Sequence, residues 1–302
     1  MSKLKTTYDY HRNALIDLAS EFTICESFAS GNTPYMDILP RPEAYGAMVG
    51  GFLEDRHALV PGSAVMEIGG GYGSLMKGLL THRQDLVRKA CMTDLSMYLL
   101  KRQKQVLSPF SPGVSYIRGN IHDIIPAIRS IDLLILNEVI GDLDTLTDIA
   151  AQNPGKEVLK LIETYGLKTP ERGKFNLNIG AIKVVEAICR SNMTAFITEH
   201  SCDPIIPDDM PYLSRGLQPE GFPRQIRLKG HDEYTIRFSH LVDVAQTYGK
   251  RVLTGPLTEV VGLRHKPSLQ FVFQARACST TKQEIAFEVL DHIREYRWMI
   301  IF

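Results

Sequence analysis

The chain has 302 residues, of which 44% are hydrophobic and 23% charged, a composition that argues for a folded globular protein and against a disordered one. Its 34 basic residues balance its 34 acidic residues, so no overall charge attracts it to nucleic acid or to an anionic membrane surface. We therefore expect neither nucleic acid nor a membrane among its partners.

The 5 cysteines also restrict the class of protein. They are odd in number, widely spaced and without a Cys-x-x-Cys pair, which argues against a disulfide framework and against a zinc site. The first residues lack a continuous apolar signal region, and no apolar run approaches the roughly 20 residues that span a bilayer. These features predict a cytoplasmic protein.

Two amphipathic helices are predicted ahead of the first core strand. The first is marked by apolar residues at helical spacing, namely Leu15, Ile16, Ala19 and Phe22. The second is marked in the same way by Tyr45, Met48, Val49, Phe52 and Leu53, with Pro42 near its first turn. Residues 30–42 between them are predicted to be a loop, which is either a connector or part of a lid over a ligand. We therefore predict an N-terminal helical extension or lid over residues 1–60 and a core over residues 61–302.

Residues 64–80 combine a short apolar strand, an acidic residue, a glycine turn and the start of a helix. Gly69, Gly71 and Gly73 let the backbone leave the strand sharply, approach a ligand closely and enter a helix whose amides point at it. Glycines also serve ordinary turns, but the flanking strand and helix favour a nucleotide-cofactor site. Glu67 stands two residues before the first glycine, and a negative charge there suits a cationic ligand better than a pyrophosphate.

The next two strand ends carry further candidate cofactor residues. A second strand is predicted to end at Asp94, about 20 positions after the last glycine, where such folds place a carboxylate on the ribose hydroxyls. We assign Asp94 and the adjacent Leu95 to the cofactor site. Asn120 and Ile121 follow the third strand, where related folds contact adenine, although His122 or Asp123 could instead cap a helix that starts there.

The fourth core strand brings Asn137 and Glu138 to the carboxyl edge of the sheet, where open parallel sheets bind ligands. We predict that Asn137 contacts the cofactor and helps to hold a substrate nitrogen or oxygen, and that Glu138 orients a cationic substrate or accepts its proton. A helix cap or an ion pair is the alternative for both residues.

From residue 61 onward, strand-like and helix-like stretches alternate, which predicts an α/β fold with a doubly wound, mostly parallel sheet. Residues 143–178 interrupt this alternation and are predicted to be an insertion over the strand ends. Residues 194–200 form a fifth strand, and the proline-rich residues 201–222 are predicted to be a second, irregular insertion. The remaining residues are predicted to supply further strands that complete the sheet and further helices, the last of which begins at about Thr281.

Glu199 and His231 are the remaining catalytic candidates. Glu199 ends the fifth strand and so lies at the same sheet edge, and His231 precedes Asp232 in the last third of the chain. The sequence has no His-Glu-x-x-His or similar metal spacing and no Gly-x-Ser-x-Gly nucleophile elbow. We therefore predict a reaction that requires neither a metal nor a covalent enzyme intermediate.

The array Glu67-x-Gly69-x-Gly71-x-Gly73 resembles motif I of the class I S-adenosylmethionine-dependent methyltransferases. Four segments in order also resemble the MidA family, which is similar to the mitochondrial complex I assembly factor that methylates a protein arginine: PRPEAYGAMVGGFL, VMEIGGGYGSLMKGLL, LILNEVIGDL and HDEYTIRFSHLVDVA. This resemblance covers most of residues 37–250. It implies a seven-stranded Rossmann-like methyltransferase sheet, S-adenosylmethionine as cofactor with S-adenosylhomocysteine as product, and a protein arginine as acceptor.

The chain departs from the family pattern at the cofactor and acceptor edges. Gly70 stands where the family usually has proline, Gly141-Asp142 shifts an acidic residue by one position, and Glu199-His200-Ser201 replaces a typical Asp-Tyr-Gly strand end. The acceptor, a protein arginine or a small molecule, therefore stays open. Two other functions also stay open, a non-catalytic assembly or binding factor with this fold and an NAD-linked dehydrogenase.

Overall fold

The computed structural model describes residues 2–18, 23–29, 35, 38–40, 42–191, 193–217, 221–276 and 278–302. In chain order, its strands are β1 (Lys3–Lys5), β2 (Ser63–Ile68), β3 (Val87–Asp94), β4 (Val114–Arg118), β5 (Leu133–Asn137), β6 (Thr145–Ala150), β7 (Lys174–Leu177), β8 (Thr194–His200), β9 (Gln225–Arg227), β10 (Asp232–Tyr234), β11 (Val252–Pro256) and β12 (Tyr296–Ile301). Its helices are α1 (Tyr8–Asn13), α2 (Ile24–Ser27), α3 (Tyr45–Asp55), α4 (Ser74–Arg83), α5 (Met97–Val106), α6 (Ile121–Ala127), α7 (Lys156–Tyr165), α8 (Ile179–Ser191), α9 (Phe238–Thr247), α10 (Leu257–Val260), α11 (Pro267–Ala275) and α12 (Thr281–Ile293).

A seven-stranded sheet in the order β11-β12-β8-β5-β2-β3-β4 forms the centre of the protein. Strands β4, β3, β2, β5 and β8 run parallel, and β12 runs antiparallel to both of its neighbours. The chain moves outward from β2 to β4 and then returns to the other side of β2. Open α/β sheets bind ligands at such a switch point, beyond the carboxyl ends of the strands. The predicted seven-stranded, mostly parallel sheet is confirmed.

Both faces of this sheet are covered, which explains why its central strands are mostly apolar. All positions of β2 and β5 are buried. Successive side chains point to opposite faces, so Val65 packs in one hydrophobic core and Met66 in the other. Helices α3 and α4 cover the first face, and α6, α8 and α9 cover the second.

The last strand was not predicted from the sequence. β12 is the apolar run YRWMII, buried throughout, and it inserts between β8 and β11. A short continuous apolar run does not distinguish a strand from part of a buried helix, so its pattern alone gave no assignment. Because β12 is antiparallel, its first residue, Tyr296, pairs with His200 at the ligand-binding edge.

The two predicted insertions lie outside the central sheet. Residues 143–178 form β6, α7 and β7, and β6 pairs with both β7 and the N-terminal strand β1 in a small antiparallel sheet. In residues 201–217, the regular structure is one short 3-10 turn (Pro211–Ser214) and a single bridge from Ser201 to Ile236. The division into an N-terminal extension and a core with insertions stays a prediction.

The first predicted helix is wrong at Leu15 and Ile16, because the helix in this region lies earlier in the chain. α1 ends at Asn13, and Ala14 has an extended backbone, so Leu15 and Ile16 lie beyond the helix. The extended path lets Ile16 become buried, while Leu15 remains exposed. Ala19 and Phe22, together with most of the loop 30–42, fall outside the described residues. The second predicted helix is confirmed as α3. Among the helices that the structure describes, none is both long enough and apolar enough to cross a bilayer.

Candidate functional site

The glycine turn after β2 has the backbone that the sequence predicted. Gly69, Gly71 and Gly73 have φ values of 70°, 50° and 90°. These values lie in the left-handed region, which residues other than glycine rarely adopt. The Gly73 amide donates to the Gly70 carbonyl at 2.7 Å, which closes the turn, and Gly73 is the N-cap of α4. The turn therefore connects β2 directly to a helix whose first amides face the ligand-binding edge.

Close neighbours also leave little room for a side chain at two of these positions. A Cβ atom on Gly69 would lie 2.6 Å from Val139 Cγ2, and one on Gly71 would lie 2.8 Å from Leu18 Cδ1. Gly69 and Gly71 both line a cavity of about 540 Å³ at the carboxyl edge of the sheet, and Val139 and Leu18 line it as well. Because Gly69 and Gly71 carry no side chains, the cavity stays open next to this turn.

The cavity is built from the ends of neighbouring strands and from the N-terminal segment. The residues of the strand ends and of the segments that follow them that line it are Ile68, Gly69, Gly71, Asp94, Leu95, Leu99, Gly119, Asn120, Ile121, His122, Glu138, Val139, Asp142, Leu143 and Asp144. The N-terminal residues that line it are Thr6, Thr7, Tyr8, Asp9, His11, Ile16 and Leu18. Lys and Arg are missing from these described lining residues, whereas five carboxylates are present. The cavity therefore favours a cationic ligand over a polyanionic one.

Asp94 ends β3 on the cavity wall and is held in place on both oxygens. Its Oδ1 accepts the Ser96 amide at 2.8 Å, and its Oδ2 accepts the side-chain amide of Gln103 at 3.0 Å. Burial raises the pKa of Asp94 to about 6, although these hydrogen bonds act in the opposite direction. The carboxylate is thus fixed but still ionised at neutral pH, and it can accept hydrogen bonds from a diol.

Glu67 lies beneath the glycine turn, and it is not among the described residues that line the cavity. Burial raises the pKa of Glu67 to about 8, and the backbone of Met76 in α4 acts in the opposite direction. Oε2 of Glu67 is buried and has no hydrogen-bond partner among the described residues. Its position supports the turn and the start of α4, and its assignment to cofactor binding stays a prediction.

The end of β4 supplies Asn120 and Ile121, and both line the cavity as expected for a site that contacts a base. Asn120 is the N-cap of α6, because its Oδ1 accepts the His122 amide at 3.0 Å. The alternative that His122 or Asp123 caps this helix is therefore wrong. Leu95, which follows Asp94, lies on the same cavity.

Asn137 and Glu138 belong to a hydrogen-bond network at the end of β5. Asn137 Oδ1 accepts the hydroxyls of Tyr45 at 2.9 Å and Thr198 at 2.6 Å, and its amide donates to Glu138. Asn137 is buried, and it is not among the described cavity residues. It therefore connects α3, β8 and Glu138 behind the cavity wall.

Glu138 reaches the cavity, but its carboxylate is already engaged. Oε1 accepts the Ile24 amide at 3.1 Å and the Tyr296 hydroxyl at 2.8 Å, and Oε2 accepts the Cys25 amide at 3.3 Å. Burial raises the pKa of Glu138, while these hydrogen bonds lower it. Glu138 also has a left-handed φ of 54°. This residue attaches the short helix α2 to the sheet edge, a contact that sequence spacing did not indicate.

The other two catalytic candidates lie near the cavity but are not among its described lining residues. Glu199 is buried, and it accepts the amides of Gly141 and His200, each at 3.0 Å. Burial and the neighbouring Glu233 and Glu138 raise its pKa well above the usual range. His231 Nε2 lies 3.3 Å from Asp142 Oδ1, and Asp142 itself lines the cavity.

Sequence patterns missed several residues of this site. Gln103 lies in the middle of α5, and His11 and Asp142 are more than 100 positions apart, so no local motif connects them. One signal was available: the predicted N-terminal lid. In the structure, the N-terminal segment does line the cavity, from Thr6 to His11 and again at Ile16 and Leu18.

Comparison with solved structures identifies the fold. A protein of Burkholderia thailandensis superposes with a TM-score of 0.57 at 14% identity, over 94% of this chain and 88% of that chain. A second structure from that organism, of a member of the same superfamily bound to S-adenosyl-homocysteine, superposes with a TM-score of 0.55 at 15% identity, over 89% of this chain and 76% of that chain. No protein-family model matches the chain, and no curated protein sequence matches it significantly. The chain therefore has the seven-stranded, Rossmann-like class I methyltransferase fold that the sequence predicted.

Proposed function

We propose that this protein is an S-adenosylmethionine-dependent methyltransferase. The observation that carries the proposal is the position of Gly69, Gly71, Asp94 and Asn120, which line one cavity at three neighbouring strand ends. The similar Burkholderia thailandensis protein holds S-adenosyl-homocysteine, the product that remains when this cofactor loses its methyl group. The same ligand class suits the cavity of the present chain.

Each part of the cofactor has a suitable partner in the cavity. The open backbone at Gly69 and Gly71 would accommodate the methionine end, and the Asp94 carboxylate would accept both ribose hydroxyls. Leu95 and Ile121 would pack against the adenine, with Asn120 at its edge. The carboxylates around the cavity favour the positive sulfonium and amino groups. The same carboxylates would repel the negatively charged pyrophosphate of NAD. We therefore consider methyl transfer a better explanation of this cavity than an NAD-linked dehydrogenase reaction.

Methyl transfer from a sulfonium requires few catalytic groups from the protein. The nucleophile forms a bond to the methyl carbon as the carbon–sulfur bond breaks, and the sulfonium becomes a neutral thioether. The protein must align the two reactants, exclude water and accept one proton from a nitrogen or oxygen acceptor. The acidic lining at Asp9 and Asp144 favours a cationic acceptor, so a guanidinium or amine is our first proposal for the substrate class.

Calorimetry with S-adenosylmethionine and S-adenosylhomocysteine tests cofactor binding. We expect both to bind and expect Asp94→Ala to weaken binding at least about tenfold, because the ribose loses a charged acceptor. Asp85→Ala is the matched control, since Asp85 is exposed just before β3, at the opposite end of the strand from Asp94. If neither compound binds at millimolar concentration, the proposal is overturned.

A non-catalytic binding factor is the second candidate, and the state of Glu138 favours it. The Glu138 carboxylate already accepts hydrogen bonds from Ile24, Cys25 and Tyr296, so its oxygens are occupied by the protein itself. Incubation with S-adenosylmethionine and a cell extract separates the two functions. Accumulation of S-adenosylhomocysteine supports the enzyme, whereas cofactor binding without any turnover supports the binding factor.

A further inference from the structure

Three side chains from distant parts of the sequence converge at one end of the cavity. His11 comes from α1, Asp142 from the turn after β5, and His231 from the residue before β10. Asp142 Oδ1 lies 2.9 Å from His11 Nε2 and 3.3 Å from His231 Nε2. One ligand atom from each residue lies within 4.8 Å of the other two. The described chain thus brings two imidazoles and one carboxylate to a common point.

The facing atoms lie at ion-pair distance from Asp142 Oδ1 but are not aligned for hydrogen bonding. His11 Nε2, Asp142 Oδ1 and both ring nitrogens of His231 are buried and lack an oriented hydrogen bond to any described residue. The His231 side chain is only 6% exposed. Buried polar atoms are normally paired, so atoms that are close but misaligned need another explanation. Ligands around a shared ion have this arrangement, because their lone pairs point at the ion instead of at each other.

The surrounding packing fixes the orientation of both imidazoles. Tyr10 stacks on His231 at 4.4 Å between ring centroids and meets His11 edge-on at 5.2 Å. The two imidazole planes lie 82° apart. A Cβ on Gly230 would lie 2.9 Å from the Tyr10 ring, so glycine at this position lets Tyr10 approach. The rings are therefore held in place before any ligand binds.

The distances and donor types indicate a class of metal. Ligands about 2.0–2.2 Å from a tetrahedral zinc ion are roughly 3.3–3.5 Å apart, close to the two separations from Asp142. Imidazole nitrogen suits zinc and neighbouring transition metals, whereas magnesium and calcium prefer oxygen ligands. Glu233 Oε1 lies 3.6 Å from His231 Nε2, so a second carboxylate stands next to this histidine.

We propose that His11, Asp142 and His231 form a binding site for a divalent transition metal of the zinc type. The ion joins the N-terminal segment to the sheet edge, because His11 lies on α1 and Asp142 follows β5. The same segment is already attached by the Thr7 hydroxyl, which donates to the Asp142 carbonyl at 2.7 Å, and by the pairing of β1 with β6. Metal binding thus stabilises the N-terminal wall of the cavity.

Titration of chelator-treated protein with Zn²⁺, Co²⁺ and Mg²⁺ tests this site without cofactor or substrate. We expect one equivalent of Zn²⁺ to bind by calorimetry and to raise the melting temperature. Co²⁺ is expected to give a visible absorption band of nitrogen and oxygen coordination, and Mg²⁺ to give no binding. His11→Gln and Asp142→Asn should each weaken Zn²⁺ binding about 100-fold. His82→Gln, at an exposed position near the end of α4, is the matched control.

His231→Gln is the second histidine variant, and His11→Gln keeps the test valid if the more buried His231 variant fails to fold. Absence of Zn²⁺ and Co²⁺ binding to the wild-type protein overturns the proposal, as does binding that His11→Gln and Asp142→Asn leave unchanged. Failure of this site is distinguishable from failure of the methyltransferase proposal, because cofactor binding is measured separately on metal-free protein.

Discussion

Gln103 ties Asp94 to the glycine turn through a single side-chain amide. Its Nε2 lies 3.0 Å from Asp94 Oδ2 and 3.0 Å from the Gly71 carbonyl oxygen. Gln103 is fully buried in α5, and it is not among the described cavity residues. One residue therefore positions both the carboxylate proposed to hold the ribose and the turn proposed to hold the methionine end. This residue is not itself among the described residues that line the cavity.

Gln103→Leu is expected to lower cofactor affinity about tenfold, or ~1.4 kcal/mol, because Asp94 and Gly71 both lose their shared donor. Calorimetry with S-adenosylhomocysteine measures the change. Gln105→Leu is the matched control, since Gln105 lies on the same helix but is exposed. Equal affinities for the two variants would contradict a positioning function for Gln103.

Cofactor affinity is expected to depend on the ionisation of Asp94. Burial raises its pKa to about 6, and the ribose hydroxyls donate to the ionised form. Protonation removes an acceptor, so affinity should fall as pH decreases through about 6, by up to roughly tenfold per pH unit. Dissociation constants measured across this range for the wild type and Asp94→Asn provide the test. The variant should bind more weakly above this range and show a flatter profile.

Glu67 is expected to make the fold less stable as pH rises. Its pKa is about 8 in the folded protein, against an ordinary value of 4.5, because the carboxyl group is buried. The folded state therefore binds more protons than the unfolded state between these two values. The stability from neutral Glu67 is complete below 4.5 and is lost as pH rises through about 8.

Glu67→Gln removes this titration while keeping the size of the side chain. The free energy of unfolding of the variant minus that of the wild type, measured by urea denaturation, should increase from acidic pH toward pH 8, by no more than about 1.4 kcal/mol for each unit of pKa shift. A difference that stays constant over this range would show that Glu67 is ionised in the folded protein.

Local patterns predicted the parts of the site that lie on consecutive strands. The turn from Gly69 to Gly73 and the strand-end position of Asp94 follow from strand, turn and helix periodicity alone. The functions of Glu138 and Gln103 did not follow, because their partners lie on distant elements. Glu138 meets Tyr296, which belongs to the unpredicted strand β12. Contacts of this kind depend on the order of strands in the sheet, which sequence spacing does not specify.

Glu138→Ala is expected to destabilise the fold by about 2–4 kcal/mol, because the Ile24 and Cys25 amides and the Tyr296 hydroxyl lose their acceptor. Urea denaturation measures the loss, and limited proteolysis should show faster cleavage near α2. Tyr296→Phe, which removes one donor, should cost only about 1 kcal/mol. If Glu138→Ala is as stable as the wild type, the attachment of α2 through Glu138 is wrong. Any loss of methyl transfer in this variant must be compared with its stability.

Gly71→Ala and Gly62→Ala separate backbone strain from obstruction of the cavity. Both glycines have positive φ, 50° for Gly71 and 83° for Gly62, so each alanine should cost about 1 kcal/mol in stability. A Cβ on Gly62 has no atom within 4 Å, whereas one on Gly71 lies 2.8 Å from the cavity residue Leu18. The end of Leu18 can shift, but the added methyl then occupies space beside the cofactor.

For Gly71→Ala, we expect calorimetry to show at least tenfold weaker cofactor binding, a loss of roughly 1.4 kcal/mol or more. For Gly62→Ala, we expect unchanged binding. Unchanged affinity in Gly71→Ala would place the cofactor elsewhere in the protein.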